Sequence, residues 1–482
     1  MSMLPDNWEM VVGLEVHTEL KTATKLFCGC ANEFGGEPNT HVCPVCLGLP
    51  GSLPVLNERA VELAIRIGLS LNCVVSPSTF SRKNYFYPDQ PKDYQISQYD
   101  LPINGPGHLD LPDGTTVSIE RAHLEEDTGK STHLGGTGRI HGADQSLVDY
   151  NRAGVPLVEI VSGPDIRSAS QARAYAAELR AILIASGASD GRMEEGSMRV
   201  DANVSVRRGP NEPFGTRCEI KNLNSLRSVQ RAIEFEALRQ ITILESGGAI
   251  SQETRHWDED TGKTHTLRSK EEAYDYRYFP EPDLVPLAPP ASQIEKIRAS
   301  LPALPAARRE ALIALFDGSP TPAQHDQILS VVDLGLDHYV STAAAQGIGA
   351  PLALARTGNE LAGLVGDSEF PADAFCSLLS MEESGALSAT QSKTVLAEMV
   401  AVGGGDPQAI AKAKGFEQME SGALDAIVDE LIGAHPEEWG RFAEGDDKLA
   451  GFFTGKVMAA TKGQADGKAV NALLRQRRSE MS

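Results

Sequence analysis

The sequence lacks an apolar run long enough to cross a membrane, and its first residues do not have the pattern of a signal peptide. We therefore expect a cytoplasmic protein with no membrane partner, in a reducing compartment that keeps cysteines as thiols. Positive charge is also scarce, because 44 lysines and arginines stand against 66 acidic residues and give a formal net charge of −22. This excludes a protein that coats nucleic acid unspecifically, so any nucleic-acid partner must meet a local basic surface.

The common nucleotide-binding motifs are absent as well. The sequence contains no Walker loop, no kinase glycine loop with its H-R-D and D-F-G segments, and no strand followed by G-x-G-x-x-G. The commonest ATP-binding folds are therefore excluded. An ATP-dependent reaction on this chain would need a sheet-based site that works with a metal ion.

Alternating strand patterns dominate the first part of the chain. Helical patterns interrupt them at residues 57–71, 170–185 and 225–246. This arrangement predicts a mostly antiparallel sheet with interspersed helices, which is an α+β fold.

Composition predicts where this sheet domain ends. The proline-rich segment 287–305 is followed by short alanine- and leucine-rich helical patterns, and the GGGDP segment at 403–407 is typical of a second linker. The helical patterns predict that everything after the first segment is all-α. The predicted domains are 1–290, 291–405 and 406–482.

The first strand pattern has a polar side with unusual chemistry. Glu15, His17 and Glu19 alternate with apolar residues, so they share one face of the strand. One imidazole between two carboxylates suits Mg²⁺ or Mn²⁺ better than structural zinc. Alternation alone, however, favours a solvated polar face, and both interpretations remain open.

A cysteine cluster follows this strand, with the spacing C-x-C, twelve residues, then C-x-x-C. Four thiolates at such spacing are typical of a tetrahedral zinc site. Two disulfides or four unrelated thiols are the alternatives, and the expected reducing compartment favours zinc. The predicted ligands are Cys28, Cys30, Cys43 and Cys46.

Further charged residues interrupt the later strand patterns. Glu125 and Glu126 are adjacent, so a strand sends them to opposite faces and one of them can join the site of Glu15 and His17. Glu159 breaks an apolar run in the same manner. Carboxylates for Mg²⁺ together with cations for phosphate predict a face that handles a nucleotide. An acidic turn at a strand end is the simpler alternative.

The segment 80–103 combines cations with tyrosines and prolines. Arg82, Lys83 and Lys92 are suited to hold phosphate, and an aromatic ring is suited to stack on a base. A loop packed over a sheet has the same composition. The sequence does not decide between these two interpretations.

Several longer segments together resemble the B subunit of the aspartyl/glutamyl-tRNA amidotransferase, the GatB family, over essentially the whole chain. The resemblance implies a glutamine-synthetase-like cradle in the first domain and a small YqeY-like tail domain at the end. Its segments include the cysteine cluster and VGLEVHTEL, RKNYFYPDQPKDYQISQYD, HLEEDTGKSTH, EEGSMRVDANVSVR, EIKNLNSLRSVQRAIEFE and DYRYFPEPDLVPL.

The resemblance implies an activity. Members of this family use ATP and Mg²⁺ to phosphorylate the side-chain carboxylate of misacylated Glu-tRNA(Gln) or Asp-tRNA(Asn), and ammonia then displaces the phosphate. The ammonia comes from glutamine through a separate amidase, the A subunit, in a heterotrimer with a small third subunit, the C subunit. The alternative is a zinc-containing adaptor that binds tRNA without catalysis.

The resemblance also assigns roles to residues. It implies structural zinc at the four cysteines, and it places the side chains Lys83, Tyr85, Arg199 and Asp201 in the catalytic pocket. The implied Mg²⁺ ligands at the ATP site are Glu15, His17, Glu125, Glu126 and Glu219.

The C-terminal segment reverses the charge of the chain. Residues 448–478 contain seven lysines and arginines against the single acid Asp466. A solvated terminal helix would have the same composition, but the family resemblance favours contact with tRNA phosphates. The predicted tRNA-binding residues are Lys456, Lys462, Lys468 and Arg475.

Overall fold

The structure is a computed structural model. It describes residues 4–135, 143–269, 276–366, 369–416, 421–461, 465 and 467–480. The chain divides into two compact units, Met1–Pro305 and Ala306–Ser482. As predicted, a mainly antiparallel sheet with helices is followed by a helical C-terminal region.

One large sheet organises the first unit. In its described part eleven strands form the sheet, in the order β12-β11-β10-β9-β1-β8-β5-β3-β2-β13, with β4 paired to β5. Neighbours are antiparallel except β10 and β11, and β6 and β7 form a separate hairpin. The strands are β1 Glu9–Glu19, β2 Ser81–Asn84, β3 Tyr94–Ser97, β4 Gly107–Asp110, β5 Thr116–Glu126, β6 Lys130–Leu134, β7 Gln145–Asp149, β8 Pro156–Ser162, β9 Met198–Arg207, β10 Cys218–Leu223, β11 Glu253–Asp258, β12 Lys263–Ser269 and β13 Phe279–Pro280.

Helices cover one face of this sheet. The apolar positions of β1, Val12, Leu14 and Val16, are at most 1% exposed and belong to the core beneath the helices. Burial of this face leaves the alternate residues of each strand on the opposite, polar face. The helices of the first unit are α1 Glu58–Ser70, α2 Ala169–Ala185, α3 Leu226–Glu245 and α4 Ala291–Ala299.

Side-chain caps fix where the helices begin. The Asn57 side chain accepts hydrogen bonds from the backbone of the first turn of α1, and Ser225 does the same for α3. Such caps satisfy amides that have no partner within the helix. The predicted helices at 57–71 and 225–246 therefore agree with the structure to within a residue at each end.

In its described part the rest of the chain is helical, and Thr357–Leu361 forms a π-helical turn. One apolar cluster lies between Leu312 and Ala411, and a second lies between Val428 and Leu474. Within the described ranges, no helix combines the length and apolarity needed to cross a bilayer. The helices are α5 Pro305–Ile313, α6 Pro322–Asp333, α7 Asp337–Ala345, α8 Ala350–Arg356, α9 Ala362–Val365, α10 Ala372–Glu383, α11 Ala389–Ala401, α12 Pro407–Ala413, α13 Ser421–Ala434, α14 Pro436–Ala443, α15 Leu449–Ala460 and α16 Gly467–Ser479.

The first boundary differs from the predicted one at residue 290. Helix α4 contributes Ile297 to the core of the first unit, and Leu301 and Leu304 pack against it. Proline-rich composition marked the end of the strands, but it did not reveal that the next helix still packs on them. The two compact units divide after Pro305.

Candidate functional site

The polar face of the sheet carries a row of charged side chains across four neighbouring strands. His17 on β1 lies opposite Glu159 on β8 and opposite Arg199 on β9. Glu159 in turn lies opposite His123 on β5. Directly opposite residues point to the same face with Cβ atoms about 5 Å apart. Strand pairing therefore assembles this row from distant parts of the sequence.

Two overlapping groups of possible cation ligands result. His17 Nε2 lies 3.5 Å from a Glu159 oxygen, 3.6 Å from Glu125 and 3.7 Å from Glu15. His123 Nε2 lies 3.9 Å from both Glu125 and Glu159. Each of the triads Glu15-His17-Glu159 and His123-Glu125-Glu159 has its ligand atoms within 4.8 Å of one another. Glu159 is common to both.

The carboxylates govern the charge of His17. Burial opposes the charged imidazole, but bonding and attraction to Glu159, with Glu125 and Glu15 adding, raise the pKa of His17 to about 9. Burial also acts on Glu159, and there His17, His123 and Arg121 outweigh it and lower the pKa of that carboxyl. Without a metal, a proton on His17 therefore balances part of the negative charge of the group.

His123, unlike His17, is held in its neutral form. Burial, helped by the nearby charge of Arg121, lowers the pKa of His123 to about 4 despite the attraction of Glu159. The side chain is fully buried, and neither ring nitrogen has a hydrogen-bond partner among the described residues. A buried neutral imidazole with free nitrogens beside two carboxylates fits a cation ligand.

The ionised carboxylate of Glu125 is also disfavoured by its surroundings. Burial, then repulsion from Glu159, raises the pKa of Glu125 to about 7. A divalent ion between these oxygens would remove that repulsion. The donor set of carboxylates and imidazole suits Mg²⁺ or Mn²⁺.

Cations and aromatic rings border this group. Arg121 lies 3.5 Å from Glu159, and its guanidinium lies 4.8 Å from the ring centroid of Tyr99. Lys83 Nζ lies 4.7 Å from the ring centroid of Tyr276, and its charge acts on both Glu125 and His123. The predicted site residue Lys83 is therefore at the border of the cation group.

The other predicted residues on β9 and β10 are held by ion pairs. Arg199 donates to buried Asp127 at 2.6 Å. Lys221 bridges Asp201 at 2.7 Å and Glu219 at 2.8 Å. The structure thus places Glu219 in a neighbouring ion-pair network, and its charge partner is Lys221.

Glu126 and Tyr85 make contacts outside the two triads. Glu126 is buried, forms an ion pair with Lys92 and accepts from the Ile96 backbone N–H at 2.9 Å. The period of two along a strand sends Glu126 away from Glu125, in line with the prediction that one of the two joins the site of Glu15 and His17. The role of Glu126 as a Mg²⁺ ligand stays what the resemblance implies. Tyr85 stacks on Tyr87 with ring centroids 4.7 Å apart.

The four predicted zinc ligands do come together. The sulfur atoms of Cys28, Cys30, Cys43 and Cys46 all lie within 4.8 Å of one another. The Cys43 N–H donates to the Cys46 sulfur at 3.1 Å, and bonding to the Cys28 thiol lowers the pKa of Cys46 to about 5. Tetrahedral Zn²⁺ with bonds of about 2.3 Å holds its sulfurs about 3.8 Å apart. The cluster can hold a metal such as zinc.

Comparison with known proteins decides the family. Residues 10–295 match the model of the GatB/GatE catalytic domain, and residues 352–477 match that of the GatB domain. The B subunit of the aspartyl/glutamyl-tRNA(Asn/Gln) amidotransferase of Carboxydothermus hydrogenoformans is 48% identical, covering 98% of this chain and 99% of the relative. The protein of that name from Frankia casuarinae is 50% identical, covering 98% of this chain and 95% of the relative. The chain belongs to the GatB family.

Two members of the cation group of this GatB-family chain were not predicted from the sequence as ligands. His123 did not enter the prediction, and Glu159 was noted only as a charge within an apolar run. The signal for His123 was its position two residues before Glu125, which puts both on one strand face. No local signal could have found Glu159, because it joins the group only when β8 pairs between β1 and β5.

The C-terminal basic segment of this GatB-family chain is partly neutralised by the fold. Arg477 pairs with Asp425 and Asp429, and Arg478 pairs with Asp447. Of the predicted tRNA-binding residues, Lys456 and Arg475 have exposed side chains on α15 and α16. The residue Lys462 and the side chain of Lys468 lie outside the described part of the chain.

Proposed function

We propose that this chain is the component of a tRNA-dependent amidotransferase that activates the substrate carboxylate. The observation that carries the proposal is the pair of triads sharing Glu159, on a sheet face that also presents Lys83 and Arg121. Clustered carboxylates beside cations are suited to hold Mg²⁺ and the phosphates of ATP together. The similarity to B subunits of aspartyl/glutamyl-tRNA(Asn/Gln) amidotransferases supports the substrate, an aminoacyl group on tRNA.

The proposed reaction has two steps. The side-chain carboxylate of Glu-tRNA(Gln) or Asp-tRNA(Asn) attacks the γ-phosphorus of ATP, and the bond to ADP breaks. Ammonia then attacks the acyl phosphate, the amide forms and phosphate leaves. Neither step needs a nucleophile from the protein, because phosphoryl transfer depends on alignment and on neutralising the phosphate oxygens.

The residues fall into proposed roles. Bound Mg²⁺ would neutralise the phosphate oxygens of ATP. Lys83 would orient phosphate oxygens from the border of the site, and Arg199 with Asp201 and Glu219 would form its other wall through the ion pairs to Asp127 and Lys221. We assign Tyr85 to the rim of the pocket and leave Glu126 out of the ligand set. The proposed Mg²⁺ ligands are Glu15, His17, His123, Glu125 and Glu159.

Partners are part of the proposal. The acyl phosphate hydrolyses in open water, so ammonia must arrive directly at a closed pocket. We assign its supply to an amidase, the A subunit, which acts on glutamine in a heterotrimer with the small C subunit. Zinc at the four cysteines would be structural. Contacts of the tail with tRNA phosphates would involve Lys456, Lys462, Lys468 and Arg475.

The architecture completes the proposal. The sheet of the first unit would be a glutamine-synthetase-like cradle, with its polar face as the floor of the pocket. The division into domains at 1–290, 291–405 and 406–482 stays a prediction, apart from the packing of α4 on the first unit. The last of these domains would be the YqeY-like tail.

The test is ATP turnover by the complex reconstituted with its amidase and its small third component, with misacylated tRNA and glutamine. We expect Glu125→Gln to lower ADP release at least about a hundredfold while tRNA affinity changes little, because a ligand of the cation group loses its charge. Glu120→Gln is the matched control, since this carboxylate on the same strand is 53% exposed. Unchanged ADP release by the folded Glu125 variant would favour the non-catalytic adaptor instead.

A further inference from the structure

Lys25 is a lysine whose entire side chain lies inside the protein. Its exposed fraction is 0%, although lysine is rarely buried without a partner of opposite charge. The ammonium donates to the backbone oxygen of His41 at 2.8 Å and to that of Tyr150 at 3.2 Å. Across the described ranges, no carboxylate forms an ion pair with it. Two carbonyl oxygens satisfy two of its three N–H donors, but they do not cancel its charge.

The side chain of Lys25 runs beside the cysteine cluster. The side chains of Lys25 and Cys46 are both neighbours of Gly154. A Cβ atom placed on this glycine would lie 3.7 Å from Lys25 Cδ and 3.6 Å from Cys46 Cβ. The charge of Lys25 acts on Cys46 electrostatically. Glu126 also comes within 3.8 Å of that Cβ position, but its carboxylate is paired with Lys92. Cys46 is therefore a group whose thiolate can balance the charge of Lys25.

We propose that Lys25 is the counter-cation of a metal–thiolate centre formed by the four cysteines. The inference rests on the zinc site of the proposed function. A divalent ion with four thiolates carries a net charge of −2, and a charge next to the protein interior is unfavourable without a counter-charge. Placed side by side, the two opposite charges reduce each other's cost of burial.

Lys25 would also position the centre. Its bonds to His41, inside the cysteine loop, and to Tyr150, between β7 and β8, join that loop to the rest of the first unit. The backbone N–H of Leu26 adds a bond to Gly154 at 2.9 Å. Lys25 thus touches no reacting group, and it acts through the metal centre.

The experiment measures zinc affinity of the full chain by competition with a chelator, and thiolate ligation by the absorption of the cobalt-substituted protein. We expect Lys25→Met to weaken zinc binding about ten- to a hundredfold, the usual effect of removing a residue that supports metal ligands. Lys21→Met is the matched control, because Lys21 is exposed on the same connecting segment, and it should bind zinc as the wild type does.

A second pair of variants separates charge from packing. Cys30→His makes the centre less negative by one charge, so the loss caused by Lys25→Met should be several-fold smaller in that background. Should the methionine variant fail to fold by circular dichroism, Lys25→Gln replaces it, because glutamine keeps an N–H donor but has no charge. Wild-type affinity in the folded Lys25 variant, or an equal loss in both backgrounds, would overturn the inference.

Failure of the zinc site itself is distinguishable. If the wild-type chain binds no zinc and its cobalt form lacks thiolate absorption, both the zinc assignment and the role of Lys25 are wrong. If the wild type binds zinc through thiolates and Lys25→Met does so equally well, only the role of Lys25 falls.

Discussion

Replacing Glu159 by glutamine keeps the shape of the side chain and removes the charge that His17 meets at 3.5 Å. Burial disfavours the imidazolium, yet Glu159, followed by Glu125 and Glu15, raises the pKa of His17 from 6.5 to about 9. A difference of that size corresponds to about 3 kcal/mol in favour of the charged form. Glu159 is the largest favourable contributor, so we expect Glu159→Gln to lower the pKa of His17 well below its wild-type value of about 9.

The sign of the effect on stability follows from linkage. The pKa of His17 is higher in the folded than in the unfolded metal-free chain, so its protonation stabilises the fold fully below pH 6.5. This contribution is lost as the pH rises through about 9. Between these values the wild-type chain should lose up to about 3 kcal/mol from this group. The Glu159 variant should lose much less.

Histidine NMR provides the assay. The metal-free chain with ¹⁵N-labelled histidine is titrated from about pH 5 to pH 10, and the His17 ring signals are assigned with His17→Gln. Glu120→Gln should leave this titration unchanged, because Glu120 is an exposed carboxylate of β5. A wild-type pKa near 6.5 would refute the reasoning. A pKa that stays near 9 in the Glu159 variant would refute the role of Glu159.

Three further outcomes are expected. Asp127→Asn removes a buried carboxylate that pairs with Arg199 and Arg152, and it should cost about 3 kcal/mol in urea unfolding at pH 7. These arginines lower the pKa of Asp127 against its burial, so the unfolding free energies of wild type and variant should converge as the pH falls below 3.8. A difference in unfolding free energy that stays constant with pH would contradict the pairing. Leu14→Ala should cost about 2–5 kcal/mol in the same assay, because Leu14 is 1% exposed on the apolar face of β1. A cost below about 1 kcal/mol would contradict that packing. If the cysteine cluster holds the proposed zinc, its removal by a chelator should accelerate amide exchange at residues 28–46 but not in α3. Equal acceleration in both would contradict a local structural role for the metal.

Local physics was enough for much of the fold. The alternation of Leu14 and Val16 with Glu15 and His17 predicted a strand with one apolar and one polar face, because successive side chains of any strand point to opposite sides. The helical patterns at 57–71 and 225–246 predicted two helices, and the structure adds that the side chains of Asn57 and Ser225 cap their first amides. The spacing of the cysteines likewise predicted a zinc site, since each C-x-C or C-x-x-C pair is brought together by its own short turn, and the fold brings the two pairs together.

The tertiary structure decided what depends on pairing between distant segments. Strand β8 pairs between β1 and β5, and Glu159 is therefore shared by both triads of the cation group. Glu126 forms an ion pair with Lys92 instead. The tertiary structure also paired Arg477 with acids from another helix, which reduces a basic surface that the sequence alone suggested. Strand order and charge pairing are non-local, so the sequence by itself determined the elements and their faces, and only the fold decided which charges meet.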